Sequence, residues 1–103
     1  GGFYLNLAQC SKNKINFTKR NPKDPTLPQT YELDFFNNKI LRVQGTAGGH
    51  MPLMTDLYQA SFSSSPESFT VKINEANKIR SDLVFRAKTK EEVLPDVKKT
   101  DPS

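Results

Sequence analysis

"TYELDFFNNKILRVQ", Thr30 to Gln44, is the stretch on which the fold turns. Tyr31, Leu33 and Phe35 alternate with Glu32 and Asp34, the period-two pattern of a strand with one buried face. Leu41 and Val43 resume the pattern in phase. Between them, Asn37 and Asn38 tolerate positive φ, because a short polar side chain bonds its own backbone and offsets the left-handed cost. Such a tight turn matches the twist of paired strands. The stretch therefore predicts an antiparallel hairpin, with Glu32 and Asp34 on its solvated face.

Towards the N-terminus, "FYLNLAQC" alternates Phe3, Leu5 and Leu7 with Tyr4, Asn6 and Ala8 and predicts a first strand. "SKNK" supplies turn residues, and "INFT" predicts a second strand with Ile15 and Phe17 inward. In "KRNPKDPTLPQ", Pro22, Pro25 and Pro28 exclude both a helix and a central strand, so an extended surface loop is expected.

Towards the C-terminus, "PLMTDLYQASF" fits two patterns. Leu53, Met54, Leu57 and Tyr58 share a helical face, whereas Tyr58, Ala60 and Phe62 share a strand face. The segment is short and runs into "SSSPES", which favours the strand. "SFTVKIN" sets Phe69, Val71 and Ile73 on one face, "EANK" offers a turn, and "IRSDLVFRAK" returns with Leu83, Phe85 and Ala87 inward. With about six strands and no βαβ alternation, the fold class is all-β, a small antiparallel sandwich or barrel over residues 3–88. Residues 89–103 are expected as a disordered or arm-like tail with a short helical turn at "KEEVL". Its apolar residues Val93, Leu94 and Val97 are candidate contacts for a partner.

"GTAGGHM", Gly45 to Met51, separates the two halves and holds the only histidine, His50. One reading is a natural surface loop. The other is an artificial join, since Gly-His-Met resembles a cloning scar and Gly1-Gly2 resembles a tag remnant. Residues 1–45 hold seven Lys/Arg against three acids, whereas residues 52–103 hold eight of each. That asymmetry suits two pieces, 3–44 and 51–88, fused through a linker at 45–50. A tether of that kind sets an effective concentration on the order of millimolar.

The 103 residues suffice for one domain with its own core. No catalytic residue, metal site, cofactor or small-molecule substrate is expected. "GTAGG" lacks the Lys-Ser/Thr of a phosphate loop, His50 has no second His or Cys cluster to complete a metal site, and no carboxylate pair sits in an apolar setting. No window approaches the roughly 20 apolar residues of a membrane span. Cys10 is alone, which precludes an intrachain disulfide and points to an intracellular compartment, cytoplasmic or nuclear. Asn16 heads the glycosylation tripeptide Asn-Phe-Thr, and Ser65-Pro66 is a proline-directed phosphorylation motif.

The excess positive charge concentrates in Lys12, Lys14, Lys19, Arg20 and Lys23, a run without an acid until Asp24. Two functions compete for it. In the first, the chain is a non-enzymatic protein–protein interaction or assembly domain, and the basic run and exposed prolines meet a protein partner. In the second, it is a small nucleic-acid-binding barrel that uses the 12–23 segment with neighbouring aromatic rings.

Overall fold

The computed structural model describes residues 2–75 and 80–95. In chain order the elements are β1 (Tyr4–Leu5), a 3-10 turn (Leu7–Gln9), β2 (Lys14–Asn21), β3 (Asp24–Phe36), β4 (Ile40–Gly45), β5 (His50–Met54), β6 (Leu57–Ser65), β7 (Ser68–Glu75), β8 (Arg80–Arg86) and α1 (Lys90–Val93). They form two antiparallel sheets, a five-stranded one in the order β1-β2-β3-β4-β5 and a three-stranded one in the order β6-β7-β8. The all-β expectation holds, with eight strands in place of six.

The core lies between the sheets. Ile15, Leu33 and Leu41 from the first sheet meet Leu57, Phe62, Phe69, Val71 and Ile73 from the second. Ile15 and Val71 are fully buried. Alternation places these residues inward, and cross-strand register aligns them, with Ile15 opposite Leu33 and Val71 opposite both Phe62 and Leu83. A row of rings runs through the molecule from Tyr31 to Phe17, Phe3, Phe69 and Phe85, with centroid separations from 4.8 to 5.8 Å.

The Thr30–Gln44 hairpin forms as expected. Asn37 and Asn38 take φ of 56° and 53°, and Lys39 N donates to Phe36 O at 3.1 Å to close the turn. Glu32 and Asp34 lie on the outer face, where Lys14 reaches Glu32 at 3.1 Å and Arg42 reaches Asp34 at 2.9 Å.

Three expectations change. "FYLNLAQC" is a strand only at Tyr4–Leu5 and then tightens into the 3-10 turn. Asn6 explains the break, because its Nδ2 donates to Asn16 Oδ1 at 2.7 Å and Thr18 Oγ1 at 3.0 Å. That bonding folds the chain over the outer face and leaves Leu7 exposed.

The proline segment is a β-ribbon, not a loop. β2 and β3 pair through Arg20↔Pro28 and Asn21↔Asp24, with an irregularity between Arg20 and Asn21 that sets Pro25, Thr26 and Leu27 outside the register. β4 pairs with β3 only from Tyr31 onward, so the prolines sit where no neighbouring strand needs their missing N–H.

"PLMTDLYQASF" becomes two strands, separated at Asp56, whose φ is 58°. Within β6 the register slips between Leu57 and Gln59. That bulge turns Tyr58 outward to 75% exposure while Leu57 and Phe62 both stay buried.

Residues 46–49 form the tight connection of the β4–β5 hairpin, in which Gly48 and Gly49 adopt φ of 108° and 80°. Gly45 N donates to Gly49 O and Thr46 N to Thr30 O. The glycines supply left-handed backbone that other residues resist. The "EANK" turn lies largely outside the described residues, as does Gly1 of the proposed tag remnant.

Candidate protein-binding interface

The structure disperses the basic run. Lys12 lies ahead of β2, where its carbonyl accepts from Phe62 N. Lys14 is committed to Glu32. Lys19 stands 6.0 Å above the Tyr31 ring on the core-facing side of the sheet. Arg20 donates from Nε to Val93 O at 3.2 Å and from Nη1 to Pro25 O at 2.7 Å. Lys23 caps the ribbon tip, with its N–H on Asn21 Oδ1. Lys19 and Arg20 line one cleft, of about 490 Å3, together with Pro22, Glu92 and Val93.

The apolar tail contacts also move. Thr89 caps α1 in a capping box with Glu92: Glu92 N donates to Thr89 Oγ1 and Thr89 N to Glu92 Oε1. The Thr89 backbone N–H, and secondly its side chain, hold the Glu92 carboxyl below the usual carboxylate range. Val93 and Leu94 are buried in this chain, at 6% and 4% exposure. Both side chains are thus packed within this chain at the start of the tail. Val97 lies outside the described residues.

Asn16 is 8% exposed, and its Nδ2 donates to Glu32 Oε2 at 3.2 Å, so the atom a glycan would join is already enclosed. Cys10 is half-buried and its Sγ accepts from Asn16 N at 3.3 Å. Ser65 closes the β6–β7 turn with Ser68. Among the described residues no group of three metal-ligating side chains occurs, and no helix is long and apolar enough to cross a membrane.

A surface that sequence reasoning missed lies where the five-stranded sheet outreaches the three-stranded one. There the core-facing side carries Lys19, Gln29, Tyr31, Val43, Gly45 and Met51, whose shared side follows from the pairings Lys19↔Gln29, Tyr31↔Gly45 and Val43↔Met51. A cleft of about 220 Å3 opens among Tyr31, Val43, Gly45 and Met51. Gly45 keeps it open, since a Cβ there would come within 3.1 Å of Gln29 Nε2. Beside it, on the outermost strand β5, Met51 and Leu53 are 62% and 50% exposed. The sequence signal was the apolar run "MPLM", which a turn or linker reading of this region hides.

The electrostatics of this surface are simple. Lys19 is its charged side chain, and the sheet's acids Glu32 and Asp34 face the other way, each neutralised by a cation. An occupant therefore meets an apolar floor with one cation at its rim. No family model, curated protein or solved structure matches the chain. The class that the fold and surface define is an all-β, two-sheet domain with exposed outer strands.

Proposed function

We propose that this chain is a non-enzymatic protein-interaction domain that docks an extended segment of a partner on the overhanging part of its five-stranded sheet. The observation that carries this reading is the exposed apolar pair Met51 and Leu53 beside the Tyr31–Val43 cleft. Exposed apolar surface in a contiguous patch marks interaction sites more often than scattered residues do. The partner segment has apolar side chains for the cleft and a carboxylate for Lys19. Pro52 removes one backbone donor from β5, so recognition rests on side chains more than on strand addition. The half-buried single thiol of Cys10 suits a reducing, intracellular setting.

The dispersal of the lysines supports this reading over nucleic-acid binding, because an electrostatic track needs several unpaired cations along one face. Selection of random peptides displayed on phage tests the proposal. Enriched sequences are expected to bind the native chain and to lose at least tenfold in affinity with Met51→Lys. Failure to enrich any such sequence contradicts it. Binding of a single-stranded oligonucleotide that weakens steeply with salt and vanishes in Lys19→Glu/Arg20→Glu favours the other function.

A further inference from the structure

Among the described residues β8 pairs with β7 alone and leaves one edge of the three-stranded sheet open, the opposite kind of edge from β5. It contains no proline, its pairing with β7 runs from Ser68↔Arg86 to Asn74↔Arg80 without a bulge, and six of its seven residues are exposed. Val84 stands 65% exposed and Phe85 41%. Natural edge strands of this length are normally blunted by proline, bulges or inward charges, because their unpaired N–H and C=O groups invite another strand.

The sequence of this edge is complementary to itself when reversed. Placed antiparallel about Val84, "DLVFR" (Asp82 to Arg86) sets Asp82 opposite Arg86 of a second copy, Leu83 opposite Phe85 and Val84 opposite Val84. A two-fold axis repeats each pair, so both ends close with opposite charges. Alternation sorts the pairs correctly. Asp82, Val84 and Arg86 share the outer face with Lys72, Thr70 and Ser68, whereas Leu83 and Phe85 share the core face with Val71 and Phe69. Neither Asp82 nor Arg86 has an ion pair within the chain among the described residues. A register centred on Leu83 instead opposes Arg80 to Arg86 and leaves Asp82 facing Val84. Opposite charges directly across an antiparallel pair stabilise it and like charges oppose it.

We propose that β8 is a self-association strand: two copies of this chain pair β8 to β8 about Val84, joining their three-stranded sheets into one six-stranded sheet. The inference does not depend on the partner surface at β5, which lies on the other sheet. The pairing buries one strand from each copy, and interfaces below roughly 1,200 Å2 are weak and concentration-dependent. The self-complementary register also limits the edge to dimers, since each copy offers one such strand.

Sedimentation equilibrium of the full chain over a wide concentration series is the first test, and a monomer–dimer equilibrium is expected. Arg86→Asp opposes two acids across the axis and is expected to weaken dimerisation at least tenfold. The swap Asp82→Arg/Arg86→Asp restores it. Register is read by disulfide trapping: residues directly opposed in an antiparallel pair have Cα atoms about 4.5–5.5 Å apart, within disulfide reach. Val84→Cys therefore cross-links two chains under mild oxidation, and Asp82→Cys, offset from its own counterpart, does not, with the native chain reporting any background from Cys10. A monomer at every concentration overturns the proposal, as does an Arg86→Asp variant that dimerises like the native chain. Equal cross-linking by Val84→Cys and Asp82→Cys overturns it too.

Discussion

Ile15 shows how one side chain ties the two sheets together. It is fully buried, sits opposite Leu33, and belongs to the cluster that Val71, Ile73 and Phe62 complete from the other sheet. Ile15→Ala is expected to destabilise the fold by about 2–5 kcal/mol, the range for a large aliphatic truncated in a core. Urea denaturation with an unchanged m-value checks it. Glu92 offers a second test at the same scale. Its folded pKa is depressed, through the Thr89 backbone N–H first, so the ionised form is favoured in the capped turn. The contribution is complete above the unfolded-state pKa and is lost as pH falls through the lowered folded value. The Thr89 amide is therefore expected to exchange faster in acid than at neutral pH relative to a non-hydrogen-bonded amide, and Glu92→Gln is expected to flatten that dependence. Hydrogen exchange with NMR detection distinguishes the two. Ile15 and the other alternating core residues were legible in the sequence because burial follows strand periodicity. The docking of Val93 and Leu94 was not, because four helical residues carry no periodic signal and their burial depends on β1 and the ribbon base.

At the scale of elements, the hairpin of β3 and β4 was readable from two asparagines. Left-handed backbone at both Asn37 and Asn38 is the condition for that turn. Asn38→Val forces a β-branched residue into φ of 53° and is expected to cost about 1–2 kcal/mol, measured by thermal unfolding against the native chain. The ribbon was misread for a physical reason. Proline forbids a ladder bond only where a neighbouring strand requires one, and sequence does not show that β4 stops at Gly45, opposite Tyr31. The bulge at Tyr58 was hidden in the same way: a one-residue slip reverses which face each side chain takes, and Tyr58, Ala60 and Phe62 look uniformly inward until the register with β7 is known. The basic run was legible as composition but not as a surface, since Lys14 is committed to Glu32 and Arg20 to the Val93 and Pro25 carbonyls.

At the scale of the whole molecule, two sheets of unequal width share one core, and the surplus width becomes surface. The three-stranded sheet covers Ile15, Leu33 and Leu41, Val43 packs at the margin of that core, and Tyr31 and Met51 extend past it. The glycine-rich stretch that divides the chain in sequence joins two paired strands in the fold, and the core draws on residues from both sides of it. Each half thus supplies apolar surface that the other must cover. The most direct test of the docking account is an NMR titration of the isotope-labelled chain with the best-enriched displayed peptide. The account predicts that the largest amide shifts fall on His50–Met54, Tyr31 and Val43, with Lys19 moving when the peptide carries a carboxylate. Shifts concentrated on the ribbon tip around Lys23, or on Arg80–Arg86, with β5 unmoved, contradict it.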